Sequence, residues 1–181
     1  MLLTRRLLAR LAALLPLAGC DDGWQPETPV RLPPGLPEGA TEPRRWALAG
    51  ACGHLLDHPG ALRGQPAESA WAVALVEYLA TAFQDGREVD GRHLTRLLRE
   101  GRTALRASLR IASEAPPQEV AEAMFAAAAA GRRGDAAGAT VALAPLGASW
   151  ASFDPEGAGL APLRRALRVA RDALETQLFP R

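Results

Sequence analysis

Residues 90–115 read DGRHLTRLLREGRTALRASLRIASEA. Placed on a helical wheel, Leu94, Leu98, Gly101, Leu105, Leu109 and Ala112 share one face. Arg92, Arg96, Arg99, Arg102, Arg106 and Arg110 lie opposite, within about a third of the circumference at 3.6 residues per turn. Two faces this distinct predict an amphipathic helix over 90–115, ended by Pro116-Pro117. The helix has an apolar side to bury and needs neighbours.

The neighbours are legible on both sides. Residues 66–84 carry Trp71, Leu75, Tyr78, Leu79 and Ala82 at three- and four-residue steps. Pro66 suits a first helical position and Glu68 complements the N-terminal dipole. This stretch reads as the central core helix. Residues 44–57 predict a first helix with Trp46, Ala49, Gly53 and Leu56 on one stripe, stopped by His58-Pro59-Gly60. Downstream, helices are expected over 117–130, 136–144 (capped by Asp135) and 160–178. The last has Leu160, Leu163, Leu167, Ala170, Leu174 and Leu178 as its seam. Residues 147–159 read as a loop that tucks Trp150 and Phe153 onto the core. No segment reads as a strand. The expected fold is all-α, an irregular bundle of five or six helices over residues 44–181. Val120–Leu143 resembles one helix-turn-helix unit of tetratricopeptide type, a single copy of a unit that stacks in threes.

Residues 21–43 differ in texture. Pro26, Pro29, Pro33, Pro34, Pro37 and Pro43 break helices, and Gly23, Gly35 and Gly39 loosen the chain. Such a segment is expected to be an extended spacer, at about 3.1 Å per residue. Before it stands MLLTRRLLARLAALLPLAGC. Arg5, Arg6 and Arg10 precede an apolar run from Leu11 to Leu17, and Ala18 and Gly19 are the small residues of a processing site. The run is too short, and Pro16 too disruptive, for a span of roughly 20 apolar residues.

Leu17-Ala18-Gly19-Cys20 resembles the lipobox of bacterial lipoproteins. That resemblance implies cleavage after Gly19, acylation of Cys20, and a domain facing the periplasm from a membrane. Two or three acyl chains anchor stably where one is marginal. Thr4–Leu8 also resembles a twin-arginine export signal. The implied organisation is a signal peptide over 1–19, the lipidated Cys20 with a tether over 20–43, and a helical domain over 44–181. The implied partner is a lipid bilayer, with Trp24 placed near its headgroups.

Composition narrows the function. The 181 residues contain no Lys, no Asn and one Ile, so arginine is the default cation. Loss of residues 1–20 removes three arginines and no acid, taking the formal charge from +1 to −2. That balance gives no reason to expect a nucleic-acid partner. Cys52 is left without an internal disulfide partner.

Chemistry-bearing residues are sparse. His54 and His58 are four apart, a spacing that could offer two metal ligands on one helical face. Pro59 ends the helix beside them, no His-Glu-x-x-His pattern accompanies them, and no metal or cofactor is expected. Ser149 in Gly147–Ala151 misses the last glycine of a nucleophile elbow and follows no strand. The arginine face of 90–115 is the most distinctive surface, a possible contact for anionic headgroups or an acidic partner. The sequence leans against catalysis. It leads to the expectation of a membrane-anchored scaffold or interaction module with an envelope protein partner. The alternatives are a carrier of apolar ligands, lined by Gly50, Gly53 and Ala126–Ala130, and a hydrolase using Ser149 or the two histidines.

Overall fold

The computed structural model describes residues 25–33, 42–84 and 91–178, with side chains as far as Thr176. The signal sequence, Cys20 and Trp24 lie outside these residues. The described part is all-α. Its α-helices are α1 (Pro43–Cys52), α2 (Pro66–Ala82), α3 (Gly91–Leu109), α4 (Pro117–Arg132), α5 (Ala136–Leu143) and α6 (Ala161–Leu178). No helix among the described residues is long and apolar enough to cross a membrane.

Helix α2 is the hub. It packs against α4, α1 and α3, and is buried on nearly every side, from Ser69 to Thr81. Only Trp71 and Tyr78 within that span remain half-buried. An alanine-rich helix suits this place because short side chains let neighbours approach. On α1, Gly50 is in tight contact with Leu75: a Cβ there would stand 2.7 Å from Leu75 Cδ1. On α4, Gly131 sits equally close to Ala67. The expectation that Gly50 lines an open groove is therefore corrected, since it is a packing contact.

Helix α3 buries Leu94, Leu98, Gly101, Leu105 and Leu109 as its wheel predicts. Gly101 lets the backbone of Leu163 on α6 pass; a Cβ would stand 2.8 Å from Leu163 Cα. The helix ends six residues earlier than expected. Arg110 turns left-handed at φ 61°, and Ile111 N–H closes the end by donating to Arg106 O at 2.9 Å. Ala112 is consequently exposed, off the helix.

Helix α1 buries Ala47, Leu48, Ala51 and Cys52, not the stripe through Ala49 and Gly53. Trp46 lies at the flank, edge-on to Trp71 at 5.5 Å between ring centres. Residues Gly53–Asp57 then widen into a π-helical turn, which rotates Leu55 into the core. Leu163, Leu167, Ala170 and Leu174 form the α6 seam, with Leu160 buried just ahead of the helix; the side chain of Leu178 lies outside the described residues. Trp150 and Phe153 are half-buried against the core and meet edge to face at 5.7 Å.

The largest departure concerns the spacer. Residues 25–33 lie along the helices as an extended strap. Val30 is 3% exposed and belongs to the core. Glu27 N–H donates to Gln84 Oε1 at 2.9 Å, Val30 N–H to Thr81 Oγ1 at 3.0 Å, and Arg31 N–H to Gln118 Oε1 at 2.7 Å. The packed unit thus begins before residue 44.

Candidate functional site

Two features of the described residues could carry function: a polar cluster under the strap and an apolar groove at the other end of α2. The cluster starts from Glu77, the one acid within the apolar run 69–83 and 1% exposed. A carboxylate buried this deeply needs a cation. Arg106 supplies it through two parallel hydrogen bonds, Nε to Oε1 and Nη2 to Oε2, each 2.7 Å. Its remaining Nη1 donates to the carbonyls of Ser113 and Ala115 at 2.8 Å. Arg106 therefore pins both α2 and the loop that follows α3. Burial pushes the Glu77 carboxyl up, against the opposing pull of Arg106 and Arg102.

Arg102, 8% exposed, is the second buried guanidinium. Its Nε stands 3.9 Å from Glu77 Oε2, a carboxylate Arg106 already occupies. The strap provides its own partner. Glu27 accepts from Arg102 Nη1 and Nη2 at 2.7 Å each. Arg99 adds a contact to Glu27 at 3.1 Å and donates to the Gln25 carbonyl at 2.8 Å. Partial burial raises the Glu27 carboxyl, but the hydrogen bonds and charge of Arg102, with Arg99 and Arg106, outweigh it and hold the group below the ordinary range.

The six-arginine surface is corrected accordingly. Arg102 and Arg106 occupy the flank of the arginine face that α2 and the strap cover, and they serve the interior. Arg92, Arg96 and Arg110 are exposed, and Arg99 is half-buried at the strap. A wheel reports the angle of a side chain, not which neighbour covers that angle.

The groove lies between the start of α2, the end of α4, the face of α5 and the loop carrying Trp150. Its volume is about 630 Å³, and it is lined by Pro66, Ala67, Ala127, Ala139, Leu143 and Trp150 among others. It exists because the facing side chains are too short to fill it. Val141, 72% exposed, stands on the outer side of α5. At the rim, Arg132 grips Glu68 through two 2.9 Å hydrogen bonds and stacks on the Trp71 ring at 4.5 Å. The Arg132 hydrogen bonds hold the Glu68 carboxyl below its usual range, against partial burial. Sequence reasoning pointed to Ala126–Ala130 as a groove wall, and of these Ala127 lines it. The contribution of α5 had no signal beyond its small residues.

The remaining candidates are dispersed. His54 Nδ1 lies 2.8 Å from the Gly50 carbonyl and its Nε2 lies 3.4 Å from Glu68. His58 is exposed beyond the π-helical turn, which breaks the four-residue register with His54. No group of three or more His, Cys, Asp or Glu among the described residues could hold a metal ion. Ser149 fastens its loop to α3, its N–H donating to Leu109 O at 2.9 Å, while its hydroxyl accepts from the Ala151 N–H. Cys52 donates weakly to Leu167 O at 3.8 Å, and burial pushes its thiol up to about 11, so it is unreactive near neutrality. Glu77 and Glu27 are the residues sequence reasoning missed; a lone acid inside an apolar helix is the signal that marks Glu77.

No protein-family model, curated protein or solved structure matches this chain.

Proposed function

We propose that the protein is a lipid-anchored, extracytoplasmic helical module of the bacterial envelope that acts by binding rather than by catalysis. The observation that carries this reading is the N-terminal sequence, an arginine-bearing start and a short apolar run ending in Leu17-Ala18-Gly19-Cys20. Acylation of Cys20 would provide the anchor and a membrane the address. The described domain is consistent with a binding role, because its most buried charged groups are engaged in holding helices and strap together. Cys20→Ser tests the reading. The variant should leave the membrane fraction or remain uncleaved. A variant that fractionates and matures like the wild type would sink it. For the module itself, capture from envelope extracts should recover a specific protein partner; recovery of none, with an activity found instead, counts against binding.

The groove favours a second reading, a carrier of an apolar ligand such as a single acyl chain. Its volume of about 630 Å³ lies within the range of small-molecule sites, and its walls are mainly alanine, proline, leucine and Trp150. Titration with medium- and long-chain fatty acids, followed by tryptophan fluorescence, should saturate and should lose amplitude in Trp150→Phe. A flat titration with every chain length removes this reading.

A further inference from the structure

The strap decides which end of the domain can meet a membrane. Without Glu27, Arg102 would share one buried carboxylate, Glu77, with Arg106, leaving a guanidinium only 8% exposed short of a counter-charge. Docking of the strap is thus built into the charge balance of α2 and α3. Its first described residue, Gln25, is tied by its carbonyl to Arg99. Four residues separate Gln25 from Cys20, and these five residue steps reach at most about 18 Å when fully extended.

Two elements fix the poles. Gln25 and Glu27 lie beside Arg99 and Gln84, where α2 ends and the first half of α3 runs. Helix α2 has 17 residues and is about 25 Å long. The groove, with Gly131 and Gly134, lies at its far end. On the strap's side, Arg92 and Arg96 are exposed on the same helical face as Arg99, one to two turns nearer the start of α3. Arg44 adds a cation over the Phe83 ring at 5.6 Å. The intervening residues include Asp21 and Asp22, so attraction to an anionic surface must come from the domain's arginines.

We propose that the docked strap acts as a short leash that holds the N-terminal half of α3, through Arg92 and Arg96, against anionic lipid headgroups, with the groove turned away from the bilayer. A free spacer over residues 21–43 would have carried these charges far beyond the roughly 8 Å over which salt leaves them effective. The docked strap brings them within reach. The inference rests on Cys20 as the lipid site.

Arginine footprinting tests it. The mature chain is placed in vesicles of phosphatidylglycerol and phosphatidylcholine, labelled with phenylglyoxal, and read residue by residue by mass spectrometry. Arg92 and Arg96 should lose reactivity relative to the detergent-solubilised chain, while Arg133, exposed at the groove end, should keep it. The loss should shrink on phosphatidylcholine alone, and shrink again when a Gly-Ser insertion after Asp22 doubles the leash. Unchanged reactivity at Arg92 and Arg96, or equal protection at Arg133, overturns the orientation. Protection that is as strong on neutral vesicles overturns the electrostatic contact, and protection indifferent to the insertion overturns the leash. The mass of the mature N-terminus reports acylation separately. If Cys20 carries no lipid, the anchoring reading fails by itself. The Cys52→Ala chain coupled through Cys20 to a maleimide lipid still answers the question of orientation.

Discussion

Substituting Arg106 with methionine should expose how much of the fold depends on one buried charge. The variant keeps an unbranched stem of Cβ to Cε length but removes the guanidinium and strands Glu77, which is 1% exposed and bonded twice to Arg106 at 2.7 Å. Removing one member of a buried pair costs about 3–5 kcal/mol. Arg102 Nε, 3.9 Å from the same carboxylate, can take up part of the charge, which places the loss near about 3 kcal/mol. The carbonyls of Ser113 and Ala115 also lose their donor, but they are partly exposed and water can replace it. With a urea slope of about 2 kcal/mol/M, the midpoint should fall by about 1.5 M. The double variant Glu77→Leu/Arg106→Met removes both charges and should recover most of that shift, since an apolar pair can replace a buried ion pair at little cost. Urea titrations followed by circular dichroism on the wild type, both single variants and the double variant complete the cycle. A single-variant shift under about 0.5 M, or a double variant no more stable than Arg106→Met, would refute the reasoning.

Three further outcomes follow from the same packing. Gly101→Ala gains about 1 kcal/mol of helix propensity but forces a Cβ to 2.8 Å from Leu163 Cα, so the thermal midpoint should drop. Thr95→Val should raise the urea midpoint, because Thr95 Oγ1 is buried without a hydrogen-bond partner among the described residues and the valine removes a group whose desolvation costs about 1–3 kcal/mol. The Glu27 carboxyl is held below its ordinary value when folded, so its contribution is present above the unfolded pKa of about 4.3 and is lost as pH falls through the folded value. The difference in urea midpoint between wild type and Glu27→Gln should therefore be widest at neutral pH and close under acid; a gap that persists unchanged at low pH argues against the pairing.

The all-α fold was legible because helix periodicity and stop signals are local. Pro66, Pro117 and Asp135 mark starts that the structure keeps. The wheels place Leu94, Leu98, Gly101, Leu105 and Leu109 of α3 and Leu163, Leu167, Ala170 and Leu174 of α6 on the sides that are buried, but not Ala112. The end of α3 was not legible. Arg110 adopts a left-handed cap that residues other than glycine rarely take, while Arg106 draws the following carbonyls inward. The strap was missed for a related reason. Proline content excludes helix but says nothing about docking, and the partners of Glu27 and Val30 lie 51 to 75 residues away. The inward turn of Arg102 and Arg106 likewise depended on an acid in α2 and another in the strap. The groove was only partly legible, since small residues pack tightly at Gly50 and leave space around Ala127 and Ala139.

The strap also gives the molecule a mechanical weak point with a direction. A pull applied ahead of Gln25 loads its contacts one after another. First come the Gln25 and Glu27 bonds to Arg99, Arg102 and Gln84, then Val30 to Thr81, then Arg31 to Gln118. Bonds loaded in series peel at lower force than bonds sheared together. Under tension the strap should unzip before any helix yields, and its nine residues would pay out about 30 Å of chain. The same segment that seats the helices at rest would then serve as their strain relief.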